Sequence, residues 1–412
     1  MSKNKLEKIY SENVIKFQQK RYSELTNGFE RVFGSKAQRY FSAPGRTEIC
    51  GNHTDHQNGK VLAAGVSLDV IAAVVPTDDG IIQVKSKGYP IDIIDISELD
   101  VKNKEKNTSK SLIRGVLRGF ADKGYKIGGF KAYTVSNVLK GSGLSSSAAF
   151  EVLVGAIING LYNNGTVSDV EIAKIAQFAE NVYFGKPSGL MDQMASSVGS
   201  FISIDFQDPK NPVINTIDFD FKASGHALCI VDTKGSHANL TPEYAAIPKE
   251  MKEIAGFFNK EVLRQITKSD IMENYAELRK KFGDRAVLRA LHFMDCNKRV
   301  DMECEALKNG DFDKFLNIVN QSGDSSYKYL QNIFASSSPQ EQGLSSALYI
   351  AKDILQGQGA CRVHGGGFAG TIQAFVPNEK LEEFKTKIEA VFGKGSCYVL
   401  DIRPVGGTEI EF

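Results

Sequence analysis

The segment GSGLSSSAAFEVLVGAIINGLY, residues 141–162, constrains the fold of this chain more than any other stretch. Eight small residues surround one leucine and lead directly into a long apolar run. Small residues let backbone N–H groups approach an anion, and the positive end of the following helix would point toward that anion. The simpler alternative is a serine that caps an ordinary helix. The segment lacks the Gly-Lys-Ser/Thr ending of a Walker motif.

A second segment, SAPGRTEICGNHTDHQNGKVLAAGV, residues 42–66, is dense in polar side chains beside a strand-like run. Buried polar groups need hydrogen-bond partners, so this density between apolar stretches predicts the lining of a pocket. A solvated loop is the alternative. The candidate residues are Arg46, Glu48, Asn52, His53, Asp55 and His56.

Two further segments are rich in glycine. In RVHGGGFAGT, residues 362–371, three consecutive glycines predict close backbone approach or positive φ, with a tight hairpin as the alternative. In AENVYFGKPSGLMDQMASS, residues 179–197, Asp192 follows a Gly-Lys-Pro-Ser-Gly run. An acid in that position is either a helix cap or a functional carboxylate.

The pattern along the first half predicts alternating helices and strands. Hydrophobic periodicity predicts helices over 3–32, 109–120 and 168–184. Alternating or β-branched runs predict strands within 40–99 and over 130–138.

The second half has a different organisation. Residues 241–335 are mostly helical in pattern, and helices over about 340–356 and 379–392 alternate with short strands near the C-terminus. A chain of 412 residues suggests two domains. We expect them at 1–210 and 211–412, the second a ferredoxin-like α+β unit whose last strand could return to the first domain.

Composition excludes several classes of protein. The formal net charge is +1, from 50 basic and 49 acidic side chains, which argues against a protein whose main role is to bind nucleic acid or anionic lipid. The six cysteines form no CxxC pair, which excludes the usual zinc spacings, and we expect them to be reduced and mostly buried. No 18-residue apolar run occurs and the first ten residues are polar, so we expect a cytoplasmic protein.

Taken together, these motifs resemble those of the GHMP sugar kinases, and within that family the galactokinase branch. The resemblance runs nearly end to end: it includes Phe33–Gly34, the Arg46–Gly59 pattern, GLSSSAA, the G.PSG.MDQ segment and GGGF.G, in family order. It implies a two-domain α/β (α+β) fold with the active site in the cleft between the domains. It also implies transfer of the γ-phosphoryl of ATP, with Mg²⁺, to the anomeric hydroxyl of galactose by a monomer or weak homodimer.

The resemblance further assigns roles to individual residues. Asp192 matches the proposed catalytic base and Arg46 the arginine beside it. Ser147 and Glu180 match the magnesium ligands. The sugar-binding positions correspond to Asn52, His53, Asp55, Gly189 and Tyr244. The phosphate-binding loop corresponds to Gly141, Ser142, Gly143, Leu144, Ser145, Ser146 and Ser147.

The chain departs from the galactokinase pattern at three positions of the first motif. Glu48 stands where the family has Asn, Asn52 where it has a Glu that binds the hydroxyl on sugar carbon 6, and His56 where it has Tyr. Galacturonokinases also lack that glutamate, so galacturonate or another sugar is an alternative substrate, and compensation between Glu48 and Asn52 within a galactokinase is the simpler reading. The segment 322–332 also replaces the Arg-Asp-Asp run that galactokinases usually carry. A non-catalytic galactose sensor is less favoured, because GLSSSAA is complete and Asp192 is present.

Overall fold

The computed structural model describes residues 4–138, 143–235 and 240–411. Within these ranges the chain forms twelve α-helices and thirteen β-strands. The strands are β1 (Asn4–Lys5), β2 (Arg39–Cys50), β3 (Lys60–Thr77), β4 (Ile81–Ser86), β5 (Ile91–Asp95), β6 (Gly129–Ser136), β7 (Phe201–Asp205), β8 (Val213–Ile217), β9 (His226–Asp232), β10 (Ala360–His364), β11 (Thr371–Pro377), β12 (Cys397–Leu400) and β13 (Thr408–Glu411). The helices are α1 (Ile15–Phe33), α2 (Ser109–Asp122), α3 (Ser146–Tyr162), α4 (Asp169–Phe178), α5 (Met191–Val198), α6 (Thr241–Phe257), α7 (Lys268–Glu273), α8 (Tyr275–Phe282), α9 (Asp284–Lys308), α10 (Phe312–Ser325), α11 (Gly343–Leu355) and α12 (Leu381–Phe392).

The larger sheet is built around the long strand β3. Its main path runs β1-β13-β2-β3-β6-β4-β5, and β7 pairs with the first part of β3 and with β8. Successive side chains of a strand point to opposite faces. Accordingly, Ala72 and Val74 pack in the core that also holds residues of α2, α3 and α4, whereas Ile71 and Ala73 pack with residues of α1. Both faces of the sheet are therefore covered by helices.

The smaller sheet is antiparallel throughout, with the order β10-β11-β9-β12. Leu228 and Ile230 of β9 face the core shared with α10, and Cys229 and Val231 face α11 and α12. Helices α6 to α9 form a third core with the turn that contains Phe368. The glycine turn after β10 lies against the segment that follows β2, where Asn52 Nδ2 contacts the carbonyl of Gly365.

Two strand pairings bear on the expected division into domains. The last strand, β13, pairs antiparallel with β2 and parallel with β1 in the larger sheet. The β7–β8 hairpin spans residue 210, where we expected the boundary, and joins 213–217 to the larger sheet. The division into 1–210 and 211–412 stays a prediction, and the hairpin favours a boundary a few residues further along.

The expected helix over 3–32 is wrong at its N-terminal end. The α-helix begins at Ile15, after β1 and two short 3₁₀ turns. Leu6, Ile9 and Tyr10 look helical in the sequence because they are buried, but they pack against the larger sheet from these turns. The expected helix over 168–184 is α-helical as far as Phe178 and continues as one turn of π-helix over Ala179–Phe184.

Two sequence expectations concern the environment of the chain. All six cysteines are buried free thiols, as expected of reduced residues. Among the described residues, no helix has both the length and the apolar character needed to cross a bilayer. A cytoplasmic location and a monomeric or weakly dimeric state stay predictions.

Candidate active site

Arg46 and Asp192 form an ion pair at the centre of the candidate site. Arg46 Nε donates to Asp192 Oδ1 at 2.7 Å, and Arg46 Nη1 donates to the carbonyl of Gly143. A break in register between Pro44 and Arg46 bulges β2 at this point, and bulges re-aim the side chains beside them. Asp192 lies in the first turn of α5, where a carboxylate is favoured by the helix dipole.

The electrostatics of this pair keep the carboxylate charged. Burial opposes ionisation of Asp192, but the Arg46 guanidinium and hydrogen bonds from Arg46 and Ser145 hold its pKa below the usual value. Burial likewise disfavours the charged guanidinium, but Asp192 raises the pKa of Arg46. The Asp192 side chain is still 25% exposed, so a substrate hydroxyl can reach it. An ionised, accessible carboxylate can accept a hydrogen bond.

The serine-rich turn contacts the ion pair directly. Ser145 Oγ donates to Asp192 Oδ2 at 2.7 Å, and Ser145 has a positive φ of 54° immediately before α3 begins at Ser146. The carbonyl of Leu144 accepts from the backbone N–H of Arg46 at 3.1 Å. Gly143, Leu144, Ser145, Ser146 and Ser147 therefore surround the N-terminus of α3. The expected nucleotide-binding residues Gly141 and Ser142 lie outside the described residues.

Ser147 and Glu180, the expected metal ligands, are in contact. Ser147 Oγ donates to Glu180 Oε1 at 3.0 Å, and Gln193 Nε2 donates to Glu180 Oε2 at 2.7 Å. A hydroxyl and a carboxylate are hard oxygen donors that suit Mg²⁺ when phosphate and water oxygens complete the shell. Among the described residues no cluster of three or more His, Cys, Asp or Glu side chains is placed to hold a metal ion.

Asn52, the residue that departs most from the galactokinase pattern, is buried in a hydrogen-bond network. Its Nδ2 donates to Glu48 Oε1 at 2.9 Å and to the carbonyl of Gly365 at 2.7 Å. Its Oδ1 accepts from Asn332 Nδ2 at 2.7 Å. The amide is thus engaged on both sides by protein groups, and its expected contact with the sugar stays a prediction.

Glu48 carries the carboxylate that residue 52 lacks. Arg362 Nη2 lies 3.4 Å from Glu48 Oε1, and Arg362 is fully buried. Burial raises the pKa of Glu48, although Arg362 and the bond from Asn52 oppose the rise. The Asn52–Glu48 hydrogen bond joins two of the positions at which this chain departs from the galactokinase pattern, and compensation between them stays a hypothesis.

His53 and Tyr244 contact the glycine turn from opposite halves of the chain. His53 Nε2 lies 2.9 Å from the carbonyl of Gly366, and Tyr244 OH donates to the carbonyl of Gly367 at 2.8 Å. Burial lowers the pKa of His53 to about 4, so the imidazole is neutral near pH 7. With its Nε2–H donated to Gly366, its Nδ1 is left as an acceptor that could bind a hydroxyl.

Asp55 and Gly189 connect the sugar-binding residues to the ion pair. A Cβ atom at Gly189 would lie 2.6 Å from Asp55 Oδ2, which is closer than any normal contact. Gly189 precedes Asp192 by three positions, so Asp55 lies beside the segment that carries the central carboxylate. The absent side chain at Gly189 leaves room for Asp55, and the expected close approach of the Gly189 backbone to a sugar stays a prediction.

Sequence reasoning missed several residues of the site. Asn332 lies in the segment 322–332 that departs from the family, and it donates to both Asn52 and Gly366. His364 is buried between Thr47 and Thr371, at 3.1 Å from each hydroxyl. The position of His364 before three glycines could have indicated a site residue. The Asn332–Asn52 contact joins residues 280 positions apart, and no local pattern in the sequence indicates it.

Comparison with known proteins identifies the family of the chain. The family described as "GHMP kinases N terminal domain" matches residues 111–200, and the "Galactokinase galactose-binding signature" matches residues 27–76. The fold resembles that of Lactococcus lactis galactokinase complexed with galactose, with a TM-score of 0.79, 24% identity and coverage of 94% of this chain and 99% of that one. The fold and motifs are those of a GHMP kinase.

Curated relatives define the branch of the family. The galactokinase of Glaesserella parasuis is 31% identical over 370 residues, which cover 89% of this chain and 92% of that protein. The galactokinase of Streptomyces coelicolor is 29% identical over 366 residues, covering 88% and 91%. The chain belongs to the galactokinase family.

Proposed function

We propose that this chain transfers the γ-phosphoryl group of ATP to the anomeric hydroxyl of galactose. The observation that carries the proposal is the Arg46–Asp192 ion pair and its position. On one side Asp192 accepts a hydrogen bond from Ser145 of the serine-rich turn. On the other side Asp55 lies next to Gly189, three residues before Asp192. Phosphoryl transfer requires mainly positioning and charge neutralisation, and this arrangement offers both.

The proposed roles of the ion pair follow from its charges. Asp192 accepts a hydrogen bond from the sugar hydroxyl and orients it toward the terminal phosphorus. Its lowered pKa makes it a weak base, so orientation contributes more than early removal of the proton. Arg46 neutralises charge on the phosphoryl group while it holds the carboxylate in place.

The backbone N–H groups at the start of α3 are proposed to bind the phosphates of ATP. Ser147 and Glu180 would hold a magnesium ion that arrives with the nucleotide. When bound, that ion neutralises charge on the phosphate oxygens. The protein's own part is to keep the hydroxyl and the carboxylate together on one side of the phosphate site.

Galacturonate remains a second candidate substrate because of Glu48 and Asn52. Of these two residues only Glu48 carries a carboxylate, and that carboxylate is in contact with Arg362 and Asn52. A neutral amide at position 52 would not repel an acidic group on carbon 6 of the sugar. A neutral hydrogen bond in place of a charged one weakens the binding of galactose by about 1 kcal/mol, which is less than a tenfold loss of affinity.

A side-by-side turnover assay tests the proposal. ADP release would be measured with galactose, galacturonate, arabinose and N-acetylgalactosamine, using Asp192→Asn protein as the matched inactive control. We expect the highest kcat/KM with galactose. A higher value with galacturonate would favour the second candidate, and sugar binding without turnover of any sugar would favour a sensor.

A further inference from the structure

Lys186 occupies a position in the site that neither the sequence motifs nor the proposed function assigns. Its Nζ lies 3.1 Å from Glu180 Oε1, the same oxygen that accepts from Ser147 Oγ at 3.0 Å. The other oxygen of Glu180 is occupied by Gln193. An ammonium group and a hydroxyl thus converge on the one carboxylate oxygen at which a metal held by Ser147 and Glu180 would bind.

The burial of the two partners is very unequal. The Glu180 side chain is 2% exposed, whereas the Lys186 side chain is 57% exposed. A buried carboxylate is costly without a cation, so Lys186 supplies the positive charge when no metal is present. Because the lysine itself is largely in solvent, its ammonium group can leave Glu180 when another cation takes its place there.

The neighbouring carboxyl group strengthens this assignment. Glu151 of α3 is fully buried, and its Oε2 accepts from Gln193 Nε2 at 3.1 Å. Burial, together with the negative charge of Glu180, raises the pKa of Glu151 well above its usual value. The charged form of Glu151 is therefore disfavoured, and Glu180 is the carboxylate of the two that Lys186 contacts.

The Lys186 side chain is largely in solvent and is not held within a helix or strand. Lys186 lies in the segment 185–190, which has no helix or strand and connects the π-helical turn to α5. The flexible four-carbon stem of lysine can carry the ammonium group from Glu180 to another anion nearby. Ser147 lies in the first turn of α3, where the phosphates are proposed to bind, so phosphate oxygens would be the next anions within reach.

We propose that Lys186 is a displaceable counter-ion of the Glu180 carboxylate and a phosphate-binding residue of the loaded enzyme. Without ligands its ammonium group occupies the cation position at Glu180 Oε1, the oxygen that also accepts from Ser147 Oγ. A divalent cation takes that position, and the ammonium group moves to the phosphates of the nucleotide. This inference rests on the proposed function for the identity of the nucleotide, but the exchange of cations can be tested without any sugar.

The test compares Lys186→Met with wild type in two binding measurements. Mn²⁺ alone would be titrated by electron paramagnetic resonance, and MgATP by calorimetry without sugar. We expect Mn²⁺ to bind Lys186→Met about fivefold more tightly, because the competing ammonium is gone. We expect MgATP to bind about tenfold more weakly, because a charged contact to phosphate is lost. Lys186→Arg should retain most of the MgATP affinity.

A matched control is Lys123→Met, which removes another exposed lysine paired with a glutamate, Glu171 at 2.6 Å, away from this site. The control should leave both affinities unchanged. Unchanged Mn²⁺ affinity in Lys186→Met would overturn the counter-ion role, and unchanged MgATP affinity would overturn the phosphate-binding role. If both shifts occur but no sugar is phosphorylated, the inference on Lys186 stands and the proposed function falls.

Discussion

At the scale of single residues, Arg46 and Asp192 show how little of this chemistry is local. The two side chains are 146 positions apart, yet they meet at 2.7 Å. Each needs the other, because burial disfavours the charged form of both and the pairing more than offsets that effect on their pKa values. The charged state of the Asp192 carboxylate therefore depends on its pairing with Arg46.

The first prediction concerns the proposed catalytic carboxylate. Asp192→Asn should abolish turnover while leaving MgATP affinity nearly unchanged, because the substitution removes the acceptor of the sugar hydroxyl and leaves the start of α3 intact. ADP release and calorimetry measure the two effects. A variant that keeps about a tenth of wild-type kcat would contradict the assigned role.

The second prediction concerns pH. The pKa of Asp192 is held below its usual value, so wild-type kcat/KM should show no acidic limb from Asp192 between about pH 5 and pH 8. In Arg46→Gln, burial is opposed only by the Ser145 hydrogen bond and the more distant charge of Lys186, so the limb should move upward into that range. Equal pH profiles for the two proteins would show that Arg46 does not set the ionisation of Asp192.

The third prediction concerns the exchange of residue types at positions 48 and 52. Asn52→Glu alone would put a second carboxylate beside Glu48 Oε1, which Asn52 Nδ2 contacts at 2.9 Å, so we expect a lower melting temperature. The double variant Glu48→Asn/Asn52→Glu should restore stability and raise the preference for galactose over galacturonate. An unchanged preference in a stable double variant would mean that residue 52 is not near carbon 6 of the sugar.

At the scale of secondary-structure elements, the site depends on irregularities at the ends and edges of regular structure. β2 bulges before Arg46, Ser145 turns left-handed before α3, and α4 continues as a π-helical turn that carries Glu180. Such departures re-aim side chains toward a common point, which regular strands and helices alone would not do. Hydrophobic periodicity in the sequence predicts the helices and strands, but it does not predict the bulge, the left-handed residue or the π-helical turn.

The fourth prediction tests one close approach between elements. Gly189→Ala should raise the KM for galactose about tenfold with a smaller change in kcat, because the new Cβ would displace Asp55 Oδ2 from 2.6 Å. Steady-state kinetics at saturating MgATP measure both constants. Gly256→Ala is the matched control, since a Cβ there meets nothing within 4 Å and should leave both constants unchanged.

At the scale of the whole molecule, a buried ion cluster ties the two ends of the chain to the central sheet. Asp69 of β3 contacts Arg21 of α1 at 2.5 Å and Arg403, just before β13, at 2.9 Å. It also accepts hydrogen bonds from Tyr10 and Ser42. Burial opposes the charge on Asp69, but the two arginines lower its pKa below the usual value.

The fifth prediction follows from this cluster. Asp69→Asn should lower the free energy of unfolding by about 3–5 kcal/mol, because two buried guanidinium groups lose their counter-charge. Since the folded-state pKa of Asp69 is lowered, its contribution is present above the unfolded-state pKa and is lost as the pH falls through the folded-state pKa. Urea unfolding at neutral and acidic pH measures both effects. Glu98→Gln, which breaks an exposed pair with Lys102, should leave the free energy of unfolding nearly unchanged.

Much of the fold could be predicted from the sequence because its signals are local. The predicted helix from Ser109, the strand over 130–138 and the helices near the C-terminus all occur with small shifts at their ends. The predicted helix over 3–32 was wrong at its start. The apolar residues there are buried against strands distant in the sequence, and this gives helix-like spacing without a continuous helix.

By itself, the amino-acid sequence determined the alternation of elements, the serine-rich turn before α3, and the presence of Arg46 and Asp192 in motifs that resemble a known family. Only the tertiary structure decided that Asn52 is enclosed by Glu48 and Asn332, and that Lys186 reaches Glu180. The physical reason is that periodicity and turn chemistry act over a few neighbouring residues. Charge neutralisation and hydrogen bonding in a buried site depend on which distant side chains the packing brings within 3 Å or so of one another.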